Sequence, residues 1–194
     1  LKEVVFADGA TDTLTIGGTT SFNLFGSCER LERVKLPKRL KGVPQYAFAD
    51  CKALCEVTIQ NGPTGIGDNA FKNCVSLEEI VLPPSMESVG DEAFMGCTSL
   101  GSAELNEGLE TIGRSAFSGA RLGKKLSSGK IEGYSLTIPS TVQSIDAGAF
   151  QNCSGLKEVV FADGATDTLT IGGTTSFNVF GGCERLEKIY LPIR

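Results

Sequence analysis

The sequence predicts a solenoid, in which short strands and turns repeat along one axis. Two observations carry this prediction. Phenylalanines recur 23 residues apart at Phe25, Phe48, Phe71, Phe94 and Phe117. The motif from Ala70 to Pro83 also recurs around most of them, with cysteine, leucine and isoleucine or their equivalents at fixed places. A fixed period of this length is typical of arrays in which each repeat buries its apolar face against its neighbours.

Each repeat is predicted to contribute one short strand that starts near a leucine or its equivalent. The starts fall near Leu1, Leu31, Leu54, Leu77, Leu100, Gly133, Leu156 and Leu186. Two inward residues then alternate with outward ones, as Ile80 and Leu82 do before Pro83. Period-two alternation closed by a proline indicates a strand that ends there.

The turn after the strand leads to an Ile-Gly pair, such as Ile66-Gly67, and then to Ala-Phe. The small alanine leaves room for the ring beside it. One buried phenylalanine per repeat predicts a ladder of rings along the convex side, each contributing about 1.5 to 3 kcal/mol of transfer free energy. We therefore assign the phenylalanines to the core.

Two insertions interrupt the period. Residues 121–133 are rich in glycine, serine and lysine and indicate an exposed loop before the strand. Residues 163–173 start with an Asp-Gly turn and continue through Leu169-Thr170-Ile171, which indicates an extra short strand or hairpin at one edge.

The second insertion occurs twice, because residues 1–37 and 156–192 are the same segment with five differences. Six repeats therefore form a longer unit of 155 residues, and the chain has begun the next one. We expect residues 1–194 to form a single solenoid that is a fragment of a longer protein.

The pattern Ala-Phe-x-x-Cys-x-x-Leu-x-x-Ile-x-Leu-Pro, followed by Ile-Gly-x-x-Ala-Phe, resembles the BspA-like, or Treponema-type, leucine-rich repeats. The resemblance covers essentially the whole chain. It implies a curved leucine-rich repeat solenoid, with one short parallel β-strand per turn on the concave side and irregular, short helical or extended turns on the convex side.

The same resemblance implies a function. Such repeats are associated with adhesion, host matrix binding and protein–protein interaction in surface or secreted proteins, and they carry no shared catalytic residues. We expect a non-enzymatic binding module at the cell surface or secreted. A structural scaffold within a large, possibly intracellular, assembly is the alternative.

Charge narrows the range of partners. The net charge of −5 argues against a nucleic-acid partner, and no apolar run is long enough to span a membrane. Between Asn73 and Gly113 there is no Lys or Arg, while eight acids occur there: Glu78, Glu79, Glu87, Asp91, Glu92, Glu104, Glu107 and Glu110. This acidic belt is either ordinary solvated charge or a polarised surface that orients a charged partner.

No catalytic, cofactor or metal site is predicted. Histidine is absent, which removes the usual general base and the usual partner of a serine or cysteine nucleophile. Six of the seven cysteines occupy one repeat position: Cys28, Cys51, Cys74, Cys97, Cys153 and Cys183. We expect these to be buried free thiols that behave as small hydrophobic side chains. Cys55 falls outside this pattern.

The candidate site is the outward face of the predicted strands, where two rows of side chains form. One row begins at Val5 and continues through Lys35, Thr58, Val81, Glu104, Thr137, Val160 and Tyr190. The other begins at Glu3 and continues through Arg33, Glu56, Glu79, Ser102, Ser135, Glu158 and Lys188. The mixed composition suits a protein or glycan ligand, while a solvated sheet without a ligand is the other interpretation. Neighbouring repeats or other subunits are expected at the uncapped ends.

Overall fold

The computed structural model describes residues 1–6, 23–125, 131–164, 168–172 and 178–191, and only the backbone of Lys124, Lys125 and Ile131. One short strand per repeat builds what we call the broad sheet. Its strands are β1 (Glu3–Val5), β2 (Arg33–Leu36), β3 (Glu56–Ile59), β5 (Glu79–Val81), β7 (Ser102–Glu104), β10 (Ile131–Ile138), β12 (Leu156–Phe161) and β14 (Lys188–Tyr190). All ladders between these strands are parallel.

A second ladder, which we call the narrow sheet, forms where the Ile-Gly pairs stack. Its strands are β4 (Gly65–Ile66), β6 (Ser88–Val89), β8 (Thr111–Ile112), β11 (Ser144–Ile145) and β13 (Thr170–Ile171). They pair in parallel, each residue with its equivalent in the next repeat. Apart from β13 at the edge, each strand buries its isoleucine or valine, because that side chain points into the space between the two sheets.

The phenylalanine ladder predicted from the sequence is confirmed. Rings of neighbouring repeats stack nearly parallel, with centroids 5.1 to 5.7 Å apart. The stack runs through Phe25, Phe48, Phe71, Phe94, Phe117, Phe150 and Phe180. Its five inner rings are fully buried, whereas the two outermost rings are half-buried because each has one stacking neighbour.

Two left-handed residues per repeat turn the chain around this ladder. One precedes the alanine, as at Asn69 with φ of 58°, and the other precedes the cysteine, as at Asn73 with φ of 59°. Glycine takes the second place at Gly96, where φ is 75°. Asparagine and glycine tolerate this conformation best, yet Tyr46, Glu92 and Ser115 also adopt it before the alanine, so residue type alone does not reveal every one of these turns.

Part of the insertion 121–133 is a β-hairpin, so the prediction of a loop was wrong for those residues. Strand β9 (Gly123–Lys125) pairs antiparallel with the start of β10, and Glu132 lies opposite Lys124. Residues 131–133 of β10 thereby have their backbone hydrogen-bonded on the side of β9. Residues 126–130 lie outside the described part of the chain.

The hairpin changes how the core is filled at this repeat. Gly133, taken from the sequence as the equivalent of the strand-opening leucine, is exposed. Leu122 is fully buried instead, and its amide donates to the Leu100 carbonyl oxygen at 2.8 Å. The ladder between β10 and β12 contains an irregularity between Tyr134 and Ser135, after which the two strands run in the expected register.

At the second insertion, a strand is present as β13, but it is the regular narrow-sheet strand of its repeat, so the prediction of an extra strand was wrong. It pairs with β11 and occupies the place of the Ile-Gly strand in its own repeat. Its backbone is therefore part of the repeat, and the additional residues lie on either side of it. Residues 165–167 and 173 of this insertion, and the copy of it near the start of the chain, lie outside the described residues.

The inward residues of the last strand differ from the prediction. Ile189 is 45% exposed and Leu191 is 66% exposed, whereas the equivalent Val34 and Leu36 are buried. The physical reason is that β2 is covered by β3, while β14 pairs only with β12 in the described part of the chain.

Candidate binding surface

The structure brings the predicted rows into register on the outer face of the broad sheet. Glu3, Arg33 and Glu56 lie side by side on β1, β2 and β3, as do Val5, Lys35 and Thr58. Glu79 faces Ser102 across β5 and β7, and Val81 faces Glu104. The third set follows β10, β12 and β14, where one row is Ser135, Glu158 and Lys188 and the other is Thr137, Val160 and Tyr190.

The broad sheet is not one continuous hydrogen-bonded ladder. It falls into three groups, namely β1-β2-β3, β5-β7 and β9-β10-β12-β14. The interruptions between β3 and β5 and between β7 and β10 were not predicted, because the sequence motif continues across the first without a change of period. Each interruption coincides with a groove in the outer face.

The first groove lies between β3 and β5 and has a volume of about 370 Å³. Its apolar walls include Val57, Val81 and Pro83, and the carboxylate residues Glu56 and Glu79 stand on either side. Val81 is 50% exposed on the sheet face. The groove therefore combines an apolar surface with two negative charges.

The second groove, with a volume of about 720 Å³, lies between the β5-β7 pair and the hairpin. Of its lining residues only Glu79 and Ser102 belong to the predicted rows, and those that the rows missed include Glu78, Arg121, Glu132 and Tyr134. The Arg121 guanidinium donates from Nε to the Gly123 carbonyl oxygen and from Nη2 to that of Ser99, both at 2.7 Å. Arg121 thus anchors the start of the hairpin to the preceding repeat.

Tyr134 joins the two sides of this interruption. Its hydroxyl donates to the Ala103 carbonyl oxygen at 2.9 Å, so a side chain contacts the strand where the backbone ladder is missing. Burial raises the pKa of the Tyr134 phenol above its ordinary value, because the ionised form would lose its hydration. The repeat motif fixes no residue type at this position, where other repeats carry Glu32, Cys55 or Gly101, so the motif could not predict the tyrosine.

Ion pairs divide this face into neutralised ends and an acidic middle. Arg33 Nε lies 3.6 Å from Glu3 Oε1 and its Nη1 lies 3.7 Å from Glu32 Oε2, while Lys188 Nζ lies 3.7 Å from Glu158 Oε1. Among the side chains that the structure describes, Glu79 and Glu104 form no such pair, and they are exposed. Within the described side chains, the middle of the face therefore carries negative charge that no ion pair balances.

Comparison with known proteins settles the family. The model for the BspA type leucine rich repeat region matches six copies within residues 19–132 and 123–194. The chain is a BspA-type leucine-rich repeat protein. No curated protein gives a significant match.

Solved structures of bacterial leucine-rich repeat proteins share the fold. The T. pallidum leucine-rich repeat protein is 26% identical, with a TM-score of 0.70 over 95% of this chain and 78% of its own. A leucine-rich cell surface protein from Faecalibacterium prausnitzii is 22% identical, with a TM-score of 0.51 over 88% of this chain. The chain spans 44% of the length of that second protein. The outer face of the broad sheet is accordingly the concave face of a leucine-rich repeat solenoid.

The cysteines of these BspA-type repeats link one turn of the solenoid to the next. The thiols of Cys51, Cys74, Cys97, Cys153 and Cys183 each donate to the carbonyl oxygen of the phenylalanine in the preceding repeat, as Cys74 does to Phe48 at 3.2 Å and Cys97 to Phe71 at 3.1 Å. Burial raises the pKa of the Cys51 thiol to about 11 and that of the Cys97 thiol to about 12. At neutral pH these two thiols are therefore protonated, and they pack in the core as uncharged side chains.

The prediction that the six repeat cysteines are buried free thiols is confirmed for four of them. Cys51, Cys74, Cys97 and Cys153 are buried free thiols, as predicted, whereas Cys28 and Cys183 are half-buried next to the outermost rings. Cys55 is exposed. Over the described residues there is neither a cluster of three or more metal-ligating side chains nor a helix that is long and apolar enough to span a membrane.

Proposed function

We propose that this chain is a non-enzymatic adhesion module that binds a protein or glycan with the concave face of its solenoid, in a surface or secreted protein. The observation that carries the proposal is the pair of side-chain rows, which are in register within each of the three strand groups. Family membership supports it, because leucine-rich repeats typically bind proteins.

The composition of the face fits reversible protein recognition. Exposed Val81 and Tyr190 supply apolar and aromatic contact area, while the charged neighbours provide the polar surroundings that such interfaces need. The rows also lie on backbone that is held by parallel ladders and a close-packed core. A partner would therefore meet a surface that is largely preformed, which reduces the entropic cost of binding.

Binding of the 194-residue chain to immobilised extracellular matrix proteins and to cell surfaces tests this proposal. Substituting Arg33, Glu79 and Tyr190 together by alanine should lower that binding at least about tenfold, because each side chain lies on a different strand of the concave face. The matched control replaces Lys52, Thr98 and Gln151, which are exposed in the turns beside the phenylalanine ladder. Equal binding by both triple variants would sink the concave-face proposal.

A further inference from the structure

We infer that the centre of the concave face docks an extended segment of a protein partner in which basic side chains flank an apolar one. This inference rests on the proposed function and adds the chemistry of the partner. The docking surface consists of the β3-β5 groove and the exposed residues next to it on β5 and β7. It is separate from the end of the sheet, where Lys188 and Tyr190 lie.

The apolar part of this surface is exposed to solvent. Val81 projects between Thr58 and Glu104 in the same row and lines the groove together with Val57 and Pro83. Half of its surface remains in contact with solvent. Covering it would remove apolar area from water, which favours a partner that places an aliphatic side chain there.

Charge complementarity specifies what must lie next to that side chain. Glu56 and Glu79 stand on the two walls of the groove, and Glu79 also lines the larger groove with Glu78. On the same row the nearest cation is Arg33, which already lies within 4 Å of Glu3 and Glu32. A lysine or arginine of the partner would therefore meet carboxylates whose charge is not already balanced on this face.

Three other positive groups near these grooves, among the side chains that the structure describes, do not cancel this negative charge. Lys157 lies against Gly133 of the larger groove, and its Nζ is 3.8 Å from Glu187 Oε2. Arg121 lines the larger groove, but its guanidinium is occupied by the carbonyl oxygens of Ser99 and Gly123. Lys35 lies on β2, and strand β3 separates it from the groove between β3 and β5. Basic partners would be steered toward the centre of the face, and acidic ones away from it.

The test uses the whole 194-residue chain and a labelled nine-residue peptide in which lysine and valine alternate. Fluorescence anisotropy at physiological salt should show saturable binding, and the same peptide with glutamate in place of lysine should bind at least about tenfold more weakly. The double substitution Glu56→Gln and Glu79→Gln should weaken binding of the lysine peptide by roughly tenfold, which corresponds to two exposed ion pairs. Val81→Ser should weaken it by about threefold.

The matched control is the double substitution Glu87→Gln and Glu110→Gln. These two exposed acids belong to the same acidic belt but lie just before β6 and β8 of the narrow sheet, so the net charge changes equally. Binding should then change by less than about twofold. Circular dichroism of each variant verifies that the fold is retained.

Three results would overturn the inference: no saturable binding of the lysine peptide, equal binding of the glutamate peptide, or equal weakening by the control pair. The proposed function is judged separately. If the combined alanine variant of Arg33, Glu79 and Tyr190 loses binding to matrix proteins or cells while the lysine peptide fails, the concave face binds a partner of different chemistry. If that variant binds as well as its matched control, the proposed function itself is wrong.

Discussion

At the scale of single residues, the cysteine of each repeat shows how one small side chain fixes the spacing between turns. Its amide donates to the phenylalanine carbonyl of its own repeat, and its thiol donates to that of the preceding one. Each phenylalanine carbonyl oxygen, such as that of Phe48, therefore accepts the amide of Cys51 in its own repeat and the thiol of Cys74 in the next, which its two lone pairs allow. Burial of free thiols was predictable from their repeated position, whereas the thiol-to-carbonyl bonds between repeats depend on the pitch of the solenoid.

These thiols predict that the protein loses stability in alkali. Unfolding exposes cysteines whose ordinary pKa is near 9, while burial keeps Cys51 and Cys97 protonated up to about pH 11 and 12. Because the folded-state pKa is raised, the stabilisation is complete below pH 9 and is lost as the pH rises through the folded values. Each thiol should lower the free energy of unfolding by up to about 1.4 kcal/mol per pH unit in this window.

Urea denaturation at pH 8 and pH 10 measures this effect, with Cys97→Ala as the matched variant. The variant should start from a lower stability at pH 8 and fall less steeply toward pH 10. Identical slopes for the two proteins would show that the Cys97 thiol does not ionise differently in the folded and unfolded states.

At the scale of elements, the strands were predictable and the hairpin was not. Alternation such as Ile80, Val81 and Leu82 fixes both the strand and its inward face, and the structure keeps that register. The Gly-Lys-Lys and Ile-Glu-Gly stretches of the insertion have no apolar alternation, so nothing in them separates a strand from a loop. In the structure the first stretch forms β9 and pairs antiparallel with the second, which extends the start of β10.

Tyr134 is expected to stabilise the junction between this hairpin and β7. Tyr134→Phe removes the hydroxyl that donates to the Ala103 carbonyl oxygen, and the free energy of unfolding should fall by about 1 kcal/mol. Tyr46→Phe is the control, because no hydrogen bond of the Tyr46 hydroxyl occurs among the described residues, and it should change stability by less than about 0.3 kcal/mol. Equal effects of the two substitutions in urea denaturation would contradict the role of this bond.

At the scale of the whole molecule, the period predicted the array, its phenylalanine core and the rows of the concave face. It could not predict where the broad sheet breaks. The motif around Glu79 has the same spacing as its neighbours, yet grooves open on both sides of the β5-β7 pair, since backbone pairing there depends on three-dimensional alignment. The same limit applies to ligand chemistry, since exposed residues such as Val81 are the ones that the repeat pattern leaves free.

The ring ladder provides a test of how far stability is shared along the array. Phe94 is fully buried and stacks on Phe71 at 5.3 Å and Phe117 at 5.1 Å, whereas Phe180 is half-buried and stacks on Phe150 at 5.7 Å. In a solenoid each repeat is stabilised only by its neighbours, so an interior loss breaks two interfaces and a terminal loss breaks one. Phe94→Ala should therefore lower the free energy of unfolding by about 3 to 5 kcal/mol, and Phe180→Ala by roughly half as much. Urea denaturation followed by circular dichroism measures both, and a change below about 1 kcal/mol for Phe94→Ala, or equal changes for the two variants, would contradict nearest-neighbour coupling through the rings.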